Sequence, residues 1–272
     1  MLVRPRCALV VAASIMVITL LSGCAGVTDP EQMKGWSAAR MYEAAKDAFD
    51  NGAWDKAIRI YERMEARYPY GRYAEQAQLD LAYAYWKSGE PPSGIAAIDR
   101  FLRLHPNHRT ADYALYLKGL INFNQDSGLL SGLGGQDVAD RDPAAARASF
   151  EAFRELAARY PKSRYRKDAV QRMTYLLNAM ARGEVKVARY YMKRGAWLAA
   201  ANRAQYAIKT YPEARESNKE ALQIMIKAYD TLGLTELRDD AARVLKNNFP
   251  ENENPNQDDK QAADKKSWWQ FW

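Results

Sequence analysis

Two cysteines and two histidines are all that the 272 residues hold of the usual thiol and metal-binding chemistry. Both cysteines, Cys7 and Cys24, lie at the start of the chain. Everything after Cys24 is therefore without a disulfide framework, a Cys-based metal cluster or a thiol nucleophile. The histidines, His105 and His108, make one His-x-x-His pair, and without further ligands such a pair cannot close a zinc site. His105 also holds the place that Tyr68, Tyr160, Tyr211 and Phe249 hold in other segments, which argues for packing; no metal site is expected. A catalytic site is equally hard to assemble. The paired acids Asp239 and Asp240 are helical neighbours pointing about 100° apart, so they cannot act together on one bond. An enzyme, such as an envelope hydrolase, is not the expectation, and no catalytic residue is assigned. Long apolar runs are missing too: the uncharged run Cys7–Leu21 has 15 residues, short of the roughly 20 that cross a bilayer as helix. The net charge of +7 falls to about +5 without Arg4 and Arg6. That mild excess, with no nucleic-acid motif beside it, points to an ordinary solvated surface and no nucleic acid as partner.

What the chain does have is repetition. The segment Asn51–Pro69, NGAWDKAIRIYERMEARYP, reads as a helix end, a Gly turn, an amphipathic helix and a Tyr-Pro stop. Gly52 precedes Pro69 by 17 residues, and the same spacing joins Gly89 to Pro106, Gly195 to Pro212 and Gly233 to Pro250. Within that frame Ala57, Tyr61 and Met64 match Gly94, Ile98 and Phe101, then Ala200, Ala204 and Ala207, then Arg238, Ala242 and Leu245. Gly-Ala-Trp occurs at Gly52–Trp54 and again at Gly195–Trp197. Small, aromatic and Pro positions in this order are the tetratricopeptide (TPR) signature. The expected fold is all-α, a TPR-like superhelix of about five helix-turn-helix repeats with a Gly-rich insert in the third.

Taken in order, residues 1–23 read as a lipoprotein signal peptide: Arg4 and Arg6, the apolar run, then Leu21-Ser22-Gly23-Cys24, which resembles a bacterial lipobox. Cys24 is the expected lipidation site. Residues 24–35 form a lipidated tether, and 36–124 hold TPR units 1 and 2 and the start of 3. Residues 125–142, QDSGLLSGLGGQDVADRD, form the Gly-rich insert. No Gly-Lys-Ser/Thr follows it, and Asp137, Asp140 and Asp142 are not spaced as an EF-hand, so a contact loop is the plainer reading. Residues 143–250 carry the C-terminal units, with an additional helix near 163–182 ahead of a fourth hairpin at 185–194 and 196–210. Residues 251–272 are a polar tail, expected to be disordered, that ends in Trp268-Trp269-Gln270-Phe271-Trp272. Those rings could pack on their own domain, sit at a membrane interface, fill a partner's groove, or occupy a groove of the chain itself.

TPR hairpins present their first helices to a groove. There the free positions are Tyr42, Lys46 and Phe49, then Arg72, Tyr73, Gln76, Leu79, Tyr83 and Trp86. Leu79 and Trp86 could equally pack hairpin on hairpin. Aromatics between cations and amides suit an extended peptide with aromatic side chains and a free carboxylate.

Several stretches together resemble the BamD (ComL) family of outer-membrane protein assembly factors. These are the lipobox, Leu81-Ala82-Tyr83-Ala84-Tyr85, Ala97-Ile98-Asp99-Arg100-Phe101, Asp140-Arg141-Asp142-Pro143 and Arg194-Gly195-Ala196-Trp197. The resemblance spans about Cys24–Pro250. It implies a non-catalytic lipoprotein scaffold of the β-barrel assembly (BAM) complex, held at the periplasmic face of the cell outer membrane. The anchor would be S-diacylglycerol and N-palmitoyl lipid on Cys24, with no other cofactor. Implied partners are the BamA POTRA domain, other BAM lipoproteins such as BamC and BamE, and unfolded outer-membrane proteins. Client strands would be received by Tyr42, Lys46, Arg72, Tyr73, Gln76 and Tyr83, and BamA by Tyr190, Arg194 and Arg203. The alternative is another envelope TPR lipoprotein, for pilus-secretin assembly or cell-wall coordination.

Overall fold

The computed structural model describes residues 33–123 and 143–250, and all regular structure among them is helical. The chain divides into two compact units, one up to Glu90 and one from Pro91.

The first unit holds α1 (Ala38–Asp50), α2 (Trp54–Arg67) and α3 (Arg72–Lys87). Ser37 caps α1 by accepting from the Arg40 N–H at 3.3 Å, which satisfies one amide that the first turn leaves unpaired. Asn51 ends the helix and Gly52 follows at φ 70°. The equivalent turn glycines Gly89, Gly195 and Gly233 also take positive φ, 70–88°, where an L side chain would cost roughly 1–2 kcal/mol. The Gly spacing in the sequence thus marks left-handed turns. Between the helices lie Met41, Ala45 and Ala48 of α1, Ala57, Tyr61 and Met64 of α2, and Ala77, Leu81 and Ala84 of α3, all buried. The alanines let the helix backbones approach, and Tyr61 and the methionines fill the space between. Leu79, read as a groove position or a packing residue, is 1% exposed, so it belongs to the packed side of α3.

The second unit runs through α4 (Pro91–Leu104), α5 (Ala111–Phe123), α6 (Pro143–Arg159), α7 (Arg166–Lys193), α8 (Trp197–Thr210), α9 (Arg215–Thr231) and α10 (Thr235–Asn248). Pro91 and Pro143 each occupy a first helical position, where the missing N–H leaves no bond unmade. The separate helices expected near 163–182 and 185–194 are one continuous helix of 28 residues, α7. Gly183 at their junction weakens a helix by only about 1 kcal/mol relative to Ala. Ala181, Val185 and Ala188 on either side are buried in one continuous face, and their packing outweighs that loss. Close approach is carried furthest where α5 meets α6. A Cβ on Gly119 would stand 2.3 Å from the buried ring of Phe153, and Ser149 Oγ donates to the Gly119 carbonyl at 2.8 Å.

The repeat triads are buried in α2, α4 and α8. In α10 they are not: Ala241 is its one buried residue, while Arg238, Ala242 and Leu245 are partly exposed. The pattern persists there with no further helix among the described residues to cover it.

Candidate functional site

In the first unit α1 and α3 carry the candidate groove residues, and a single carboxylate links them. Tyr42 Oη of α1 donates to Asp80 Oδ2 of α3 at 2.9 Å, and Tyr61 Oη of α2 donates to the same oxygen at 3.3 Å. Gln76 Nε2 donates to Oδ1 at 3.0 Å. Burial pushes the Asp80 carboxyl above its ordinary value, opposed by the bonds from Gln76, Tyr42 and Tyr61 and by the nearby Lys46 charge. Burial, and then the Asp80 charge, push the phenols of Tyr42 and Tyr61 strongly upward. Both hydroxyls are therefore permanent donors here, and Asp80 acts as a fixed acceptor joining three helices.

From this node rings run along the two helices. Tyr42 meets Tyr73 with centroids 5.6 Å apart. Further along, Phe49 meets Tyr83 at 5.3 Å and Trp54 edge-on at 5.3 Å, and Tyr83 meets Trp86 at 5.5 Å. Cations stand over these rings: Lys46 above Phe49 at 4.5 Å, Arg72 above Tyr73 at 4.8 Å and Lys87 above Trp86 at 5.5 Å. Lys46 is also paired with Asp50. The rings of Tyr42, Phe49, Tyr73, Tyr83 and Trp86 are half-buried, and Arg72, Gln76 and Lys87 are exposed. Tyr42, Lys46, Arg72, Tyr73, Gln76 and Tyr83 thus line one ribbon of side chains. Such a ribbon offers π faces, amide and guanidinium donors and a carboxylate to an extended chain.

Asp80, Trp54 and Lys87 are the residues of this ribbon that the sequence reading missed. For Asp80 a signal existed: one acid set between Leu79 and Leu81, four residues after Gln76 on the same helix face.

In the second unit the α7–α8 hairpin carries Tyr190, Arg194 and Arg203. Tyr190 is 53% exposed, and the guanidinium of Arg194, also exposed, lies 5.3 Å from its ring. Arg203 is already engaged: its Nε stands 2.5 Å from Oε2 of Glu184, whose side chain is 15% exposed. The two atoms are close but not aligned as a hydrogen bond, so the contact is Coulombic. His105 and His108 both set their rings against buried Phe101, at 5.3 and 5.4 Å. Cys24, the Gly-rich insert and the aromatic tail lie outside the described residues. Among the described residues there is no group of three or more His, Cys, Asp or Glu that could hold a metal ion, and no helix long and apolar enough to cross a membrane.

Comparison with known proteins follows this geometry. The YfiO family, described as outer membrane lipoprotein, matches residues 35–244. An outer membrane protein assembly factor BamD of Neisseria meningitidis (serogroup A, strain Z2491) is 45% identical over 256 residues, covering 93% of this chain and 95% of the relative. The BamD of Vibrio cholerae is 40% identical over 224 residues, 82% of this chain and 92% of the relative. That of Haemophilus influenzae is 34% identical over 252 residues, 91% and 95%. With a match across most of its length, this chain belongs to the YfiO family of outer membrane lipoproteins, which includes the BamD assembly factors.

Proposed function

We propose that this protein is a non-catalytic scaffold of the β-barrel assembly complex, receiving unfolded outer-membrane proteins on its first unit and the BamA POTRA region on its second. The relatives' shared name, outer membrane protein assembly factor, supports the general role. It also favours this reading over pilus-secretin assembly or cell-wall coordination, and over an envelope hydrolase. The observation that carries the client assignment is the ribbon of rings along α1 and α3, organised by Asp80. An extended client strand with aromatic side chains would lay rings on Phe49, Tyr83 and Trp86. Its carboxylate would meet Arg72 or Lys87, neither of which is ion-paired among the described residues.

At the second unit, Tyr190 and Arg194 present a ring and a cation on the surface, while Arg203 would meet a POTRA carboxylate only by exchanging Glu184 for it. BamC and BamE would bind elsewhere along the same scaffold. Cys24, carrying S-diacylglycerol and N-palmitoyl chains, would hold the body at the periplasmic face of the outer membrane. Several acyl chains together give stable anchoring where one alone is marginal. In this scheme residues 1–23 are removed, 24–35 are the tether, 125–142 a contact insert and 251–272 a tail.

The test is binding of a fluorescent peptide copying the last strand of a client barrel. The double variant Phe49→Ala/Tyr83→Ala should weaken it roughly tenfold or more, a usual loss for truncated aromatic anchors. Equal affinity for variant and parent would remove the ribbon from client recognition.

A further inference from the structure

Two neighbouring turns of the second unit gather positive charge on one edge. The first joins α4 to α5 and the second joins α6 to α7. They are clasped together: Arg159 Nη2 and Tyr160 Oη both donate to the Pro106 carbonyl, at 3.2 and 3.4 Å, and Ser163 Oγ donates to Asp112 Oδ2 at 2.7 Å. Residues 103–112 and 159–168 hold seven cations and two acids, an excess of five, equal to that of the whole chain without Arg4 and Arg6. Both acids are engaged locally, Asp112 by Ser163 and Asp168 by Arg172 and Tyr116. Arg103, Arg109, Lys162 and Lys167 are exposed and have no ion-pair or hydrogen-bond partner among the described residues. Leu104, beside Arg103 at the end of α4, is 61% exposed, the most exposed leucine among the described residues.

We propose that this edge docks on an anionic lipid surface, with Leu104 entering the headgroup boundary and the four unpaired cations facing phosphates. Charge complementarity requires an anionic partner, and the form of the edge favours lipid. The cations are spread over two turns and a helix start, which suits a surface carrying many phosphates. An exposed aliphatic side chain set among cations is the composition of an interfacial contact: the apolar group leaves water while the charges stay at headgroup level. Each Lys or Arg close to an anionic leaflet strengthens attachment about fivefold, so four act appreciably together. The family is one of outer membrane lipoproteins, which puts a bilayer surface close to its members. The inference is independent of the client and POTRA assignments. It rests on the anchoring proposed above only for bringing the edge to a bilayer.

Photo-crosslinking of the full chain in lipid nanodiscs, with a benzophenone side chain in place of Leu104, tests this. Adducts are counted in protein that co-elutes with the discs, and co-elution with neutral discs reports the anchor by itself. Lipid adduct should be roughly fivefold or more higher on phosphatidylcholine discs containing about one quarter phosphatidylglycerol than on phosphatidylcholine alone, and high salt should remove the gain. The variant Arg103→Gln/Arg109→Gln/Lys162→Gln/Lys167→Gln, its helix content checked by circular dichroism, should lose the gain as well. The same probe in place of Leu198, an exposed leucine of α8, should show none. Equal adduct at position 104 on both discs would overturn the proposal, as would a gain that survives salt or the four substitutions. A chain that co-elutes with neither disc would overturn it together with the anchor. Adducts to protein in place of lipid on native outer membranes would overturn it too, by assigning the edge to an acidic partner.

Discussion

Tyr42 and Asp80, 38 residues apart in the chain, meet at 2.9 Å between the first helices of two successive hairpins. The bond fixes a ring on the candidate client ribbon by means of a carboxylate that burial disfavours. Asp80 is thus a polar tie inside a surface that otherwise reads as aromatic, and it holds Tyr42 and Tyr61 at once.

Removing the Tyr42 hydroxyl by Tyr42→Phe leaves Asp80 with Tyr61 and Gln76 and should cost about 1 kcal/mol of stability in urea unfolding. Asp80→Ala strips the acceptor from the hydroxyls of half-buried Tyr42 and buried Tyr61 and should cost about 2–3 kcal/mol.

The sign of the pH dependence is set by the raised folded-state pKa of Asp80. A group raised by burial contributes fully while protonated, below its ordinary 3.8, and loses that contribution as pH climbs through the folded value. The stability of the parent relative to Asp80→Asn should therefore fall as pH rises from 3.8 upward. A difference that stays flat or grows across that window would contradict the buried carboxyl.

Asp168 should show the opposite sign. Burial raises its pKa, but the Arg172 guanidinium at 2.6 Å and the Tyr116 hydroxyl at 2.7 Å outweigh it and hold the carboxyl below its ordinary value. Its contribution is present above 3.8 and is lost as pH falls through the depressed value. Asp168→Asn should accordingly destabilise more at pH 7 than at pH 3, measured by chemical denaturation at both.

Gly119→Ala pits two effects against each other. Alanine is the better helix former by about 1 kcal/mol. Its methyl, however, would stand 2.3 Å from the fully buried Phe153 ring, and overpacking typically costs about 1–3 kcal/mol. A net loss of stability is expected; a gain would show that α5 and α6 can separate cheaply.

The pair Glu184 and Arg203 allows structure and partner binding to be separated. Arg203→Glu should loosen the α7–α8 hairpin by like-charge contact and weaken BamA co-purification. The swapped pair Glu184→Arg/Arg203→Glu should recover the melting temperature but not BamA. Recovery of both would mean that Arg203 acts only within the chain.

Much of this architecture was legible before any coordinate. The Gly-to-Pro spacing of 17 located the turns at Gly52, Gly89, Gly195 and Gly233 because positive φ leaves few residues to choose from. The triads Ala57-Tyr61-Met64 and Ala200-Ala204-Ala207 named buried faces because helical period repeats every three to four residues. The half-buried rings of α1 and α3 followed from the same register. The continuity of α7 through Gly183 was not legible, since a lone glycine marks a break or a tolerated weakness depending on what packs beside it.

Register along one helix is local, and local backbone chemistry was enough to assign helices, turns and inward faces. Asp80 taking hydroxyls from two other helices, Glu184 occupying Arg203, and Phe153 lying against a bare Gly119 all join residues far apart in the chain. Such pairings depend on how one helix settles on another, and side-chain volumes packed to solid-like density decide that only when the elements meet.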